Sequence, residues 1–494
     1  MDRIKTLLQV LSSTEIRALK KFLNTFHSRG ENKALVLMEL VEKNPQISQA
    51  EASRLLYGDP ASKAFLMLKG RLIDKLYEGL SLSVSLQNHP ALKDDPQGFA
   101  PVKLQKQLLY AQILIKRGLE NLAFELLEKV NEQARQLHLP EFRLQALIYL
   151  RSLAAAHHES VATYHQEIEE VMAAYEVDIK GVGLLDDFNV LTRKQSVYDR
   201  AIIDWLEGHT QYFKEELERA YSARAHYYFL TLLTALDEGR EDYGSGKKHL
   251  QELIELISRE TGLKSNNRLG APYLRLAAIE LMAGHYEAGR EAALEALAIF
   301  PTHKFNHLSA AIYACFGHIY TDQLDAAKAL LGTLGWFAQR KRRNTSMEVT
   351  RYLSSCVAFC QGDLRAAVHL LGNVNEILAD KSGWNTSLRI HEILLYLEQE
   401  KIDLAAARIE ALRKHIARYG ASDRDQVIFR ILYLLEKRSF YYQFLNDEME
   451  ALMEDLTHKY PWSPISQEVI RFDIWLKAHQ MEVPFYPLLL AELP

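Results

Sequence analysis

The sequence of 494 residues predicts an all-α chain: a solenoid of helical hairpins preceded by an N-terminal helical bundle. The first observation behind this is a spaced pattern. Gly284-His285-Tyr286 is followed by Gly289, Asp322-Gln323-Leu324 by Ala327, Gly362-Asp363-Leu364 by Ala367, and Glu400-Lys401-Ile402 by Ala405, so that a small residue recurs every 38 to 40 residues. Each copy marks a tight turn between two amphipathic helices. The second observation is composition. Hydrophobic residues make up 48%, charged residues 25%, and there are only 13 prolines, a balance that suits packed helices and argues against disorder. The third is length, which is too great for one hydrophobic core and implies domains or repeats.

In chain order, residues 1–85 read as a bundle of about five helices. Ser12 or Ser13 supplies a start signal, helices follow over roughly 14–27, 33–44, 48–57 and 61–80, and Gly30, Asn44-Pro45 and Gly58-Asp59-Pro60 separate them. Residues 86–102, polar and proline-bearing from His89-Pro90 to Pro101, read as a linker. Irregular hairpins fill 103–262: helices at 103–117 and 120–137 around Gly118, a pair at 141–157 and 161–177, and a break at Gly181-Val182-Gly183. The clear repeats occupy 263–420. Capping helices close the chain over 421–494, with a pair near 425–460 and a terminal helix at 465–480.

The repeat pattern resembles that of tetratricopeptide (TPR) repeat proteins. That family places a small residue on the first helix, glycine at the turn, alanine on the second helix and proline at the end. In the best copy these fall on Ala277, Gly284, Tyr286, Gly289, Ala296 and Pro301; Cys315 and Ser355 take the place of Ala277 in the next copies, and Ala111, Gly118 and Ala123 form an early one. The period of 38 to 40 exceeds the family's usual length of about 34, and 178–262 fits poorly. A generic α-solenoid outside the family is the other reading. The resemblance implies a concave surface that grips a protein or peptide, without catalysis.

The N-terminal unit supports three readings. Lys33 to Leu40 and Asn44 to Leu56 resemble the opening of a helix-turn-helix or winged-helix domain, which would make the next helix the reader, with Lys63, Lys69 and Arg71 as its DNA contacts. Residues 1–80 carry 13 Lys plus Arg against 9 Asp plus Glu. Against DNA reading stands Ala64-Phe65-Leu66-Met67-Leu68, an apolar run where base and phosphate contacts need a polar face. A plain bundle that caps the first repeat or docks a partner is favoured, and the segments 7–11 and 15–23 also loosely resemble death-fold adaptors.

No catalytic motif emerges, and an enzyme is not expected. Gly244-Ser245-Gly246-Lys247-Lys248 lacks the upstream glycine and the Ser or Thr after lysine that a phosphate loop needs, so it reads as a loop with a helix start. Cys315, His318, Cys356 and Cys360 have zinc-ligand chemistry, but Cys315 fills a small-residue position, and packing explains it. No cofactor or metal is expected. Three cysteines make no disulfide framework and fit a reducing, cytoplasmic setting. The apolar stretch Leu7 to Leu11 is too short for a signal-peptide core, and no apolar run suits a membrane span. The net charge of −5 carries no global nucleic-acid signature.

The expected function is therefore that of a scaffold or adaptor for a protein or peptide, the alternative being a transcriptional regulator with a DNA-binding N-terminal unit and peptide-sensing repeats. Arg340, Lys341, Arg342 and Arg343 suggest a clamp for an acidic segment, a phosphate or nucleic acid, beside the plainer role of cations at a helix end. Repeat phase puts Tyr273, His307, Tyr313 and Arg351 on the gripping surface. The C-terminal aromatics Phe440, Tyr441, Tyr442, Phe444, Trp462, Trp475, Phe485 and Tyr486 read as a cap on the last repeat or as a partner patch, with capping favoured.

Overall fold

In a computed structural model, the described residues are 1–11, 13–25, 32–83, 98–157, 159–193, 197–301, 305–340, 344–372, 374, 377, 380–443 and 446–493. They form helices joined by turns and loops, with no strand among them. The chain divides into two compact units, Met1–Lys103 and Leu104–Pro494. The expected linker lies mostly outside the described residues, and its last residues, from Ala100, are already helical.

The first unit holds α1 (Asp2–Val10), α2 (Ser13–Thr25), α3 (Lys33–Lys43), α4 (Gln49–Tyr57) and α5 (Lys63–Ser83), close to the expected helices. Local chemistry sets their ends. Ser48 and Glu51 form a reciprocal capping box at the start of α4, and Gly58 ends it in the left-handed region at φ 73°. Ile4, Leu19, Leu37, Met38, Phe65, Leu72 and Leu76 form the core.

The second unit begins with α6 (Ala100–Lys116) and α7 (Glu120–Gln136), then α8 (Pro140–Leu153), α9 (Val161–Leu191) and α10 (Arg200–Arg219). Hairpins follow: α11 (Ala223–Gly239) with α12 (Tyr243–Arg259), α13 (Asn266–Met282) with α14 (Tyr286–Ile299), and α15 (Phe305–Tyr320) with α16 (Leu324–Arg340). Next come α17 (Asn344–Cys360) with α18 (Leu364–Leu371), α19 (Trp384–Glu398) with α20 (Ile402–Tyr419), and α21 (Asp423–Lys437) with α22 (Asp447–Glu454). The chain closes with α23 (Phe472–Met481) and α24 (Phe485–Ala491).

One device recurs at the turns. Gly118, Glu241, Gly284, Asp322, Gly362 and Glu400 all have positive φ. In each case the next residue's N–H bonds the carbonyl five residues before it, as in His285 to Glu280 at 2.8 Å and Lys401 to Tyr396 at 2.9 Å, which closes the helix end. Five residues after each turn residue stands a buried small one: Ala123, Gly246, Gly289, Ala327, Ala367 and Ala405. The reason is contact. A Cβ on Gly289 would lie 2.8 Å from Cγ of Leu281, and one on Gly246 would lie 3.0 Å from Cδ1 of Ile279. These are TPR-like hairpins, and the register runs further than the sequence reading placed it, because Glu241 and Gly246 make a full copy inside the supposedly irregular 103–262. The lysine-bearing segment there is a helix start, with Asp242 capping α12 through Ser245 N–H.

Two expectations are corrected. Gly181-Val182-Gly183 makes no break, since α9 runs unbroken through it. Gly181 serves packing instead: a Cβ there would lie 2.5 Å from the ring of Phe213 and 2.9 Å from that of Tyr228. The terminal helix starts at Phe472 and not near 465. Residues 460–471 are non-helical because side chains capture their backbone, as described next.

Candidate partner-binding surface

The surface a helical-hairpin solenoid offers a partner is the row of first helices, here α11, α13, α15, α17, α19 and α21. Counting back from each turn residue gives equivalent positions on that row. Two or three before the turn stand Met282, Ile319, Tyr320, Phe359 and Glu398, and nine or ten before it stand Tyr352 and His391. The chain's own tail meets these positions one after another. Ser463 Oγ reaches Met282 Sδ at 3.2 Å. The Tyr320 hydroxyl donates to the Pro464 carbonyl at 3.1 Å, and the Tyr352 hydroxyl to the Gln467 carbonyl at 2.8 Å. The Tyr486 hydroxyl donates to the Ile319 carbonyl at 2.8 Å. The rings of Phe359 and Phe485 meet edge to face. The Trp475 indole donates to Glu398 Oε1 at 2.7 Å, and His479 Nε2 stands 2.8 Å from the same oxygen.

The tail is anchored by Arg424 at the start of α21. Its guanidinium donates to both oxygens of Glu468, to Asp473 Oδ1 and to the carbonyls of Leu456 and Tyr460. Phe472 N–H donates to Glu468 in turn. Val469, Ile470, Phe472, Trp475 and Leu476 join the largest core. The aromatics expected to cap the last repeat thus include Trp462, Trp475, Phe485 and Tyr486, which lie along the first-helix row of earlier repeats. Side chain to backbone hydrogen bonds over an apolar bed are a common way of holding an extended segment.

The row upstream of the tail stays half open. On α11 and α13, Arg275 donates to Glu238 Oε2 at 2.7 Å and to Thr234 Oγ1 at 2.9 Å. Tyr313 on α15 and Tyr198 lie close enough for the Glu238 carboxylate to add to the effect of burial on their hydroxyls, which raises both and takes Tyr198 to about 12. Tyr198 keeps 46% of its surface exposed. The charged pair and Tyr313 thus come from three adjacent first helices.

The other expected contacts are distributed differently. Tyr273 packs against Ala296, Phe300 and Ala310 between hairpins. His307 is only 9% exposed, and burial pulls its imidazole down. Arg351 is half-buried and stands 3.8 Å from Glu348. Arg340 closes α16, and Lys341, Arg342 and Arg343 lie outside the described residues. In the first unit Lys63 and Arg71 are exposed on α5, while Lys69 donates to Gln49 at 2.6 Å. Leu66 and Met67, 46% and 60% exposed, share the outer side of α5 with the two cations. Sequence reasoning missed Tyr198, Glu238 and Arg275, although the Glu241/Gly246 copy sets the phase of Glu238 and the Gly284/Gly289 copy that of Arg275.

Among the described residues no group of three or more His, Cys, Asp and Glu side chains could hold a metal ion. Cys315, Cys356 and Cys360 are buried, and burial pushes their thiols up, that of Cys315 to about 12. No described helix is long and apolar enough to cross a membrane.

No family model matches the chain, and no curated protein matches it. Among solved structures, the apo form of RapI is similar over 77% of this chain and 98% of its own, at 12% identity and a TM-score of 0.42. A Signal Transduction ATPase with Numerous Domains protein with a tetratricopeptide repeat sensor, from Pyrococcus horikoshii, is similar over 92% of this chain and 66% of its own, at 13% identity and a TM-score of 0.37. Both likenesses are distant, and the repeat fold rests on the hairpin register itself.

Proposed function

We propose that this chain is a non-enzymatic scaffold that holds a partner protein on the first-helix row of α11, α13 and α15. The observation that carries the reading is the use already made of that row. Downstream it binds a segment, the chain's own tail, through tyrosine-to-backbone bonds, and upstream Glu238, Arg275 and Tyr313 stand on the same row of first helices. Tyrosine and arginine are the residue types that most often carry interface energy.

The test is affinity capture with the full-length protein, nuclease-treated, beside an Arg275→Glu, Tyr313→Ala variant. A protein retained by the wild type and lost by the variant supports the reading. Retention by both places the partner elsewhere. Recovery of DNA that depends on Lys63 and Arg71 and disappears with nuclease and salt supports the regulator instead.

A further inference from the structure

On the opposite side of α11, the wedge between α10 and α12 is not filled by repeat packing and leaves an open groove of ≈ 540 Å³. That is within the range of small-molecule pockets. Its floor is apolar, with Phe229, Leu233 and Leu236 from α11, and its rim carries Lys214 from α10 and Lys248 from α12. The charges around it do not cancel. Glu207 is taken by Arg240 at 2.7 Å and Asp237 by His249 at 2.7 Å. Lys214 and Lys248 are exposed and make no ion pair among the described residues, and Glu252 is the opposing carboxylate on the rim. His226 also lines the groove.

The same wedge recurs between α18, α19 and α20, lined at the equivalent positions by Leu388, Arg389, Glu392 and Leu395, with a volume of ≈ 280 Å³. There Glu392 stands where α11 has Leu233, and it pairs with Arg408 at 2.9 Å. The wedge is thus a feature of the fold, and the one over α11 combines an apolar floor with two unpaired ammonium groups.

We propose that the α10–α11–α12 wedge binds a small apolar carboxylate, its aliphatic body on Phe229, Leu233 and Leu236 and its carboxylate between Lys214 and Lys248. Such a group comes either from an acyl chain or from an aliphatic amino acid. The test is calorimetric titration of the full-length protein with octanoate and with N-acetyl-leucine, using octanamide as the neutral control. The expected result is that one or both acids bind and octanamide binds roughly tenfold more weakly, the size of one hydrogen bond to a charged group. A Lys214→Gln, Lys248→Gln variant should bind the acids only as weakly as octanamide while leaving octanamide unchanged. Tighter octanoate identifies an acyl source, and tighter N-acetyl-leucine an amino-acid source. No binding by either acid at millimolar concentration overturns the proposal, as does binding that the lysine variant does not weaken.

Discussion

Arg424 grips Glu468 with both prongs of its guanidinium, at 2.6 and 3.0 Å, across 44 residues of chain. The pair joins the first helix of the last hairpin to the tail that runs back along the repeats. Both side chains are nearly buried, at 11% and 8% exposure. Removing one member strands the others: Arg424→Leu leaves Glu468 and Asp473 without their shared cation. The expected cost is about 3–5 kcal/mol, read by urea denaturation, with the tail amides gaining hydrogen exchange before those of α17. A loss below about 1 kcal/mol would show that Arg424 does not lock the tail.

Acid should weaken the second unit. His391 is fully buried, and desolvation holds it down at about 3, against 6.5 for an ordinary histidine. Its Nε2 meets Ser355 Oγ at 3.0 Å, and that hydroxyl already donates to the Ala367 carbonyl, so the imidazole itself supplies the proton and Nδ1 is left without a partner. A depressed folded pKa gives stability that is present above 6.5 and lost as pH falls toward 3. His226, His307 and His318 shift the same way by burial. Asp425 opposes them: burial raises it to about 6, so its contribution fades as pH rises from 3.8. His391 alone should cost about 2 kcal/mol between pH 7 and pH 5. His391→Leu should flatten the slope of stability against pH over that range, and an unchanged slope would refute the assignment.

The two glycines of α9 should respond with opposite signs. A Cβ at Gly183 meets nothing within 4 Å, whereas one at Gly181 meets Phe213 and Tyr228. Gly183→Ala should stabilise by about 0.5–1 kcal/mol, as expected for a continuous helix. Gly181→Ala should destabilise by about 1–3 kcal/mol through overpacking. Thermal unfolding of both variants decides the matter, and destabilisation by Gly183→Ala would mean that α9 is interrupted there.

These glycines also show what was legible in the sequence. The repeat register could be read wherever a turn residue and a small residue five positions later stood among alternating apolar positions, as at Gly284 and Gly289. The copy at Glu241 and Gly246 was hidden because the lysines beside Gly246 suggested other chemistry. Gly181-Val182-Gly183 read as a break because propensity cannot foresee that Phe213, 32 residues on, needs the space. The path of the tail was not legible at all. Trp475 and Glu398 are 77 residues apart, and no local rule links them. The half-open site shares this limit, since Tyr198 comes from a connection between helices and enters through tertiary packing alone.

The cysteines should be silent in the native protein. Cys315, Cys356 and Cys360 are buried with raised thiol pKa values, and it is the thiolate that reacts. A maleimide at pH 7.5 should label none of them in the folded chain and all three in denaturant, as counted by intact mass. Rapid native labelling would contradict the burial.

The occupation of the first-helix row by the tail can be tested with two introduced thiols, Met282→Cys and Ser463→Cys, at positions whose side chains touch across 181 residues of sequence. A short bis-maleimide should join them within one chain, giving an intramolecular crosslink in the monomer with the native cysteines unmodified. If both thiols accept the reagent singly and no intramolecular crosslink forms, the tail does not lie on the row, and the division into a filled and an open stretch fails with it.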